Sequence, residues 1–265
     1  MNEKNFDYLR DQVKYTGFGE ALEGELRQHI EQQQPTFSLK HDTFYGDDRV
    51  SAELNFKKSE QTDMYFFNSY NVSLQKEGRP ETLDQTFYIN RGSNITLKEA
   101  YNLMEGRAVN KDITSKEGEV YNAWINLDFK NTDANGNFKI NQYHQNYGYD
   151  LESALAKHPI KELQNESYKE DLMNSLKKGN LQSATFIKDG QEVKQYIEAN
   201  PQFKTLTVYD AQQKRVDTRQ SNVQQQSQQE GKGQKESQKA KAGEGDDEAP
   251  GEEKQKKQRR KSRSV

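Results

Sequence analysis

Apolar residues recur with a helical period at the start of the chain. Phe6, Leu9 and Val13 share one helical face, and after Gly17 a second stripe appears at every fourth position. The members of the second stripe are Phe18, Leu22, Leu26 and Ile30. Spacings of three and four residues place side chains on one face of a helix, and Gly interrupts helices. The pattern therefore predicts two N-terminal helices with buried faces, ended by Pro35.

From Thr36 the period changes to two. Phe37 and Leu39, and then alternate residues from Val50 to Phe56, are apolar with polar neighbours. The segments YGDD, KKSEQ and KEGRP have the composition of turns, so we expect an antiparallel meander of about four strands that ends with TFYIN. One face of this sheet should be buried and the other exposed to solvent. The aromatic segment Met64 to Tyr70 fits a central strand covered by helices better than a stacking platform for bases.

A capping box at Thr96 to Glu99 predicts the start of the next helix, and Gly106 predicts its end. Strand-like runs follow on either side of Gly118, and the Asn135-Gly136 pair between VYNAWINLDF and FKINQY is a hairpin signal. This segment predicts one helix followed by three strands.

The same order of signals returns further along the chain. Ser167 to Glu170 resembles a second capping box, Gly179 takes the place of Gly106, and Asp189-Gly190 takes the place of the turn at Gly118. The repeat predicts a second α-β-β-β unit, which could reflect duplication or convergent turn chemistry. A short helix from Asp150 to Lys157 lies between the two units.

The predicted fold class is α+β: N-terminal helices, an antiparallel meander, two helix-plus-three-strand units and a disordered C-terminal tail. We expect the helical hairpin and meander at 1–95, the two units at 96–216, packed with the first part as one body, and the tail at 217–265.

The tail is predicted from composition. All 27 aromatic residues lie at or before Tyr209. A segment without large apolar side chains cannot offset the roughly 1 to 2 kcal/mol per residue of backbone entropy that folding costs. We therefore expect residues 217–265 to be disordered.

Charge separates along the chain. The segment from Asp217 carries 12 Lys and Arg and 9 Asp and Glu, whereas the body has a net charge of −6. An acidic body is unlike a general nucleic-acid clamp. Within the tail, a basic end could contact phosphates or an acidic partner, although charged tails also serve only to keep proteins soluble. The candidate contact residues are Lys254, Lys256, Lys257, Arg259, Arg260, Lys261 and Arg263.

Cysteine is absent from the sequence, which removes disulfides, thiolate metal sites and cysteine nucleophiles. The N-terminus has no apolar signal-peptide core, and no run approaches the roughly 18 to 20 apolar residues that span a bilayer. The sequence therefore predicts a cytoplasmic protein without a membrane partner.

Catalytic patterns are weak. His29, His41, His144 and His158 lack metal-ligand spacing and are expected at surfaces or in loops. The segment from Asp133 imitates the start of a calcium loop but fits a hairpin turn. Asp189, Glu192 and Lys194 resemble a nuclease motif, yet in a strand they fit a solvated face better. No cofactor, metal or catalytic residue is predicted.

Five segments of the sequence resemble those of a known family. They are YTGFGE, TDMYFFNSY, LKEAYNLMEGRAV, YHQNYGYDL and YIEANPQFKTLTVYD. The chain resembles an uncharacterised family encoded on conjugative and other mobile elements of Bacteroidetes bacteria, which has a similar Gln/Lys-rich basic tail. The resemblance implies a cytoplasmic location and a mobile-element context, and it implies no reaction.

Three function classes follow. The favoured one is a non-enzymatic accessory or binding protein whose body docks on a partner and whose basic tail contacts nucleic acid or an acidic protein. The first alternative is a metal-dependent enzyme acting on nucleic acid. The second is a structural protein.

Overall fold

The computed structural model describes residues 2–90, 92, 94–115 and 117–216, and it confirms the predicted α+β class. The helices are α1 (Glu3–Val13), α2 (Glu23–Glu31), α3 (Leu97–Met104), α4 (Leu151–Leu155) and α5 (Glu166–Lys177). The strands are β1 (Thr36–Tyr45), β2 (Asp48–Lys58), β3 (Tyr65–Gln75), β4 (Thr82–Tyr88), β5 (Val109–Thr114), β6 (Val120–Thr132), β7 (Phe138–His144), β8 (Gln182–Lys188), β9 (Gln191–Asn200) and β10 (Thr205–Tyr209). The predicted disorder of 217–265 lies outside the described residues.

The N-terminal stripes are buried as predicted, but the second stripe is not one helix. The helix α1 continues into a wider helical turn, Lys14–Phe18, in which Gly17 takes a φ of +101°. The helix α2 begins only after Leu22. Phe18 therefore reaches the core from the wide turn, although its spacing from Leu22 imitates a continuous helix.

The four-stranded meander has the order β1-β2-β3-β4, with every neighbouring pair antiparallel. Along β2, residues Val50, Ala52, Leu54 and Phe56 are buried and their neighbours are not. The central strand β3 contacts both α1 and α3, as predicted from its aromatic residues. Tyr65, Phe67 and Tyr70 face this core, so the meander has one buried face and one open face.

The two α-β-β-β units are present in the predicted order. After α3, strands β5, β6 and β7 form one antiparallel sheet, and after α5, strands β8, β9 and β10 form another. Gly106 and Gly179 both take positive φ values after their helices, at +84° and +77°. The equivalent turn glycines, Gly118 and Gly190, also have positive φ.

The second capping box was predicted wrongly. Thr96 and Glu99 form a reciprocal box at α3. In contrast, Ser167 lies inside α5, which begins after Asn165, and the Asn165 side chain accepts a hydrogen bond from the Tyr168 N–H. Asn is as good an N-cap as Ser, so two candidate caps stood two residues apart and the earlier one is used.

Two apolar cores lie on opposite faces of β6. Ile125 and Leu127 join the core formed by the N-terminal helices and the meander. Their neighbour Trp124 packs into the second core, formed by α4, α5 and the sheet of β8 to β10. The first core thus extends across the predicted boundary at 95/96. Among the described residues, no helix is long and apolar enough to cross a bilayer.

Candidate binding groove on the open face of the meander

The seven basic residues predicted as contacts lie in 217–265, outside the described residues. The four histidines are in the described part, and each contacts an aromatic ring. The prediction of surface or loop positions was incomplete, because three are half-buried: His29 stacks on Phe37 with 4.8 Å between ring centroids, and His41 and His158 lie edge-on to phenylalanines. Within the described ranges, no three His, Asp or Glu side chains cluster as metal ligands.

The two weaker sequence motifs are structural. Asp133 accepts hydrogen bonds from the backbone N–H groups of Asn135 (2.8 Å) and Asn137 (3.0 Å), which makes the predicted hairpin turn. Glu192 is exposed on β9 and forms an ion pair with Lys161. Both motifs therefore match the structural interpretations that the sequence favoured.

Side chains that alternate with the buried residues of the meander line up in two rows across its open face. Strand register places Lys40 beside Glu53, Glu53 beside Asn71, and Asn71 beside Thr86, one residue from each strand. We call these four residues the first polar row.

The second polar row runs parallel to the first. It consists of Asp42, Ser51, Ser73 and Asp84, again one residue from each strand in register. Because side chains two residues apart on a strand point to the same face, the two rows form one polar surface. This surface is the floor of a groove of about 570 Å³.

The tip of the β6–β7 hairpin forms a wall of the groove. Asn137 is buried, and its Oδ1 accepts a hydrogen bond of 2.9 Å from the backbone N–H of Thr86. Beside it, the buried Gln85 accepts a 2.8 Å hydrogen bond from the Phe138 N–H through Oε1. The side-chain amide of Gln85 donates in return to the Phe138 carbonyl, at 3.3 Å. These bonds attach the hairpin to the edge of β4 and fix the wall against the floor.

Some groove side chains are held by their neighbours. Asp42 accepts hydrogen bonds from Ser51 Oγ at 2.5 Å and Arg49 at 3.1 Å. The hydrogen bond from Ser51, followed by the contact with Arg49, lowers the pKa of the Asp42 carboxyl, so it remains ionised at neutral pH. Glu53 accepts a 2.7 Å bond from the hydroxyl of Ser38.

Other groove side chains are not engaged. Within the described part of the chain, Lys40, Asn71, Ser73 and Thr86 make no side-chain hydrogen bond. Lys40 and Asn71 are exposed. The free groups supply a cationic donor, an amide and two hydroxyls, which can hydrogen-bond to a polar ligand without first breaking internal contacts.

Large aromatic side chains lie on the same open face, beyond the two polar rows. Phe44 on β1, Phe66 on β3 and Tyr88 on β4 are 64%, 49% and 56% exposed. Their register partners are the polar residues Arg49, Lys57 and Ser69, which confirms that they point away from the core. The open face therefore carries exposed aromatic surface outside the residues that line the groove.

A second cleft, of about 630 Å³, is lined by the β1–β2 turn, α3 and the start of β8. Lys98 Nζ lies 4.1 Å and 4.5 Å from the ring centroids of Tyr45 and Tyr101. Burial and nearby Arg107 lower the pKa of Lys98. Burial first, and then Glu105, raises the pKa of Tyr101 to about 12.

The charged groups of this second cleft contact one another. The Tyr101 hydroxyl donates to Asp48 Oδ2 at 3.0 Å. Glu105 forms ion pairs with Lys76 at 2.8 Å and with Arg107 at 3.6 Å. A ligand would have to displace these contacts, so we consider the groove on the meander the better candidate site.

The sequence shows which groove residues are polar but not that they align. The polar residues that alternate with the apolar ones in β1 to β4 were visible in the sequence, but they predicted only a solvent-exposed face. Strand register then decides which side chains meet. Comparisons with protein-family models, curated proteins and solved structures gave no match for this chain.

Proposed function

We propose that this chain is a non-enzymatic binding protein that holds an extended polar segment of a protein partner in the groove on the meander. The basic end of the C-terminal segment adds contact with nucleic acid or an acidic partner. The resemblance noted in the sequence suggests an accessory role in a mobile genetic element, in the cytoplasm.

The observation that carries the proposal is the set of free side chains in the two polar rows. Adjacent strands lie about 4.8 Å apart, so a row across four strands spans about 14 Å. An extended peptide advances about 3.3 Å per residue, and such a row therefore matches about four residues. Asn71, Ser73 and Thr86 offer donors and acceptors to the backbone of a peptide lying along the floor.

A peptide array probed with the full-length chain tests the groove. Selected peptides are then titrated against the Asn71→Ala/Ser73→Ala variant, which removes two free polar groups. Each lost hydrogen bond costs roughly 1 kcal/mol, so the two losses together should lower the affinity about thirtyfold. The matched control, Asn141→Ala/Gln191→Ala, changes exposed polar residues of β7 and β9 and should stay within twofold of the parent. Equal binding by the groove variant and the control would remove the groove from the proposal.

The basic end is tested separately with a labelled DNA duplex and a labelled single-stranded RNA. The comparison uses the full-length chain and a variant with all seven candidate basic residues changed to Gln. Each neutralised phosphate of duplex DNA contributes about −0.9 to the slope of log affinity against log salt. We expect salt-sensitive binding by the parent and loss of that sensitivity in the variant. A chain truncated after Val216 that binds nucleic acid as well as the parent would show that the basic end has no such role.

A further inference from the structure

The two edges of the meander differ. The outer edge of β4 is occupied by Asn137 and Phe138 of the β6–β7 hairpin. The outer edge of β1, ten residues long, carries no backbone-to-backbone hydrogen bond from any described residue. A long unpaired edge is a template for pairing with another strand.

The hairpin geometry shows which backbone groups of β1 are free. Tyr45 and Asp48 close a two-residue turn, and in such hairpins the closing pair is hydrogen-bonded. At the other end of the strand pair, the Lys58 N–H donates to the Pro35 carbonyl at 2.9 Å. Pro35 is odd-numbered, as Tyr45 is, so both ends give the same alternation of hydrogen-bonded pairs. Odd-numbered residues of β1 therefore bond to β2. Even-numbered residues direct their N–H and C=O groups outward.

We propose that the β1 edge pairs with β1 of a second copy of this chain, antiparallel and centred on His41, and joins the two meanders into one sheet. In this register Lys40 faces the second copy's Asp42, and Asp42 faces the second copy's Lys40. Both positions direct their backbone groups outward, so each makes a hydrogen-bonded pair. This inference does not depend on the proposed function.

Charge selects this register over its neighbours. A shift of two residues in one direction places Lys40 opposite Lys40, and in the other direction Asp42 opposite Asp42. Like charges directly opposite one another destabilise a sheet, whereas opposite charges stabilise it. A shift of one residue would place the outward N–H and C=O groups of an even-numbered residue opposite an odd-numbered residue, whose backbone groups already bond to β2. The centring on His41 alone satisfies both requirements.

The same register covers an exposed aromatic side chain. Phe44, which is 64% exposed, faces the second copy's Ser38 and lies diagonally across from Lys40. Two hydrogen bonds in each of the four outward pairs give about eight backbone hydrogen bonds. The polar rows would continue across the junction, because Lys40 ends the first polar row, Asp42 ends the second, and each faces the other residue type of the second copy.

Sedimentation of the full-length chain over a range of concentrations tests the pairing. We expect a reversible dimer in the parent. Lys40→Asp places carboxylates opposite each other twice and should raise the dimer dissociation constant at least tenfold. Lys40→Asp/Asp42→Lys exchanges the charges and should restore it. The matched control Lys139→Asp makes the same charge change on an exposed position of β7 and should leave dimerisation unchanged. A parent that is monomeric throughout, or a Lys40→Asp variant as dimeric as the parent, would overturn the proposal.

Crosslinking tests the register, because the chain has no cysteine. Directly opposite residues of a non-hydrogen-bonded antiparallel pair have Cα atoms about 4.5 Å apart, within disulfide range. His41→Cys should therefore give a covalent dimer under mild oxidation. Thr43→Cys, whose opposite residue would be Leu39, should not. Equal crosslinking at the two positions would reject centring on His41.

Discussion

At the residue scale, Gly106 and Gly179 follow equivalent helices with similar backbone conformations but different surroundings. A Cβ on Gly179 would lie 2.9 Å from Val109 Cγ2 and 3.0 Å from the Ala108 carbonyl oxygen. A Cβ on Gly106 would meet only a Phe129 ring atom at 3.7 Å, which is ordinary contact. The close approach at Gly179 exists because α5 ends directly against the strand that follows α3.

We expect Gly179→Ala to destabilise the protein by about 3 kcal/mol, from left-handed backbone strain together with a clash against neighbouring backbone. Gly106→Ala carries the strain alone and should cost about 1 kcal/mol. Urea unfolding followed by circular dichroism measures both. Equal losses of stability in the two variants would contradict the close packing at Gly179.

Residue-level prediction from the sequence succeeded at the start of α3 and failed at the start of α5. Thr96 and Glu99 form the predicted box although Asn94 stands two residues earlier, because the Asn94 side chain accepts a hydrogen bond from the Asn90 N–H instead. At α5, Asn165 and Ser167 were both suitable, and the local pattern could not choose between them. The choice depends on the preceding turn, Lys161–Gln164, which the sequence did not reveal.

At the element scale, α3 is tied to β5 by a buried ion pair. Glu99 closes the capping box and also pairs with Lys111 at 3.1 Å, and these side chains are only 10% and 13% exposed. Glu99 Oε2 additionally accepts a hydrogen bond from the Thr96 N–H at 2.9 Å. One carboxylate therefore serves both the helix terminus and the contact between helix and strand.

Lys111→Met should cost about 3 kcal/mol, because it leaves the buried Glu99 carboxylate without its cation. Adding Glu99→Gln should recover part of that loss, since the uncompensated charge is then removed. The matched control is Lys57→Met, because Lys57 pairs with Glu60 and these side chains are 55% and 82% exposed. Loss of this exposed ion pair should lower the free energy of unfolding by less than about 0.5 kcal/mol. Chemical denaturation of the parent and the three variants gives the comparison. A Lys111→Met loss no larger than the control would show that the buried pair is not required.

Elements of the sheets were predictable to a useful extent. The period-two pattern gave the strands of the meander and its buried face, and turn residues gave the strand order within each α-β-β-β unit. What could not be predicted is the groove, because its polar rows depend on cross-strand register. Asp42 meets Ser51 only because the β1–β2 turn contains two residues, Gly46 and Asp47. One residue more or less would change every pair.

At the scale of the whole molecule, β6 shows the limit of pattern analysis. Trp124 and Ile125 are consecutive and both buried, 7% and 3% exposed, because they face different cores. If one face of β6 were exposed to solvent, one of these two side chains would be exposed. The order of elements was readable from local signals, but the stacking of one unit on another depends on contacts between residues far apart in sequence.

Asn102 is the central contact between the two units. It is completely buried at the end of α3, and its Nδ2 donates to the carbonyl of Lys178 at 2.7 Å and to Asn180 Oδ1 at 3.0 Å. Arg107 donates to Asn102 Oδ1 at 2.8 Å and to the Gly179 carbonyl at 3.0 Å. The end of one helix is thus bonded to the end of its counterpart in the other unit.

We expect Asn102→Ala to destabilise the whole protein by about 3 kcal/mol, because buried partners on both units lose their hydrogen bonds at once. The control Asn110→Ala removes a half-buried amide that bonds Asn122 within a single sheet, and should cost about 1 kcal/mol. Denaturation gives the two losses, and native-state hydrogen exchange shows where they act. If Asn102 joins the units, exchange quickens at the ends of both α3 and α5. Faster exchange confined to α3 would mean that the units are held together by their apolar cores alone.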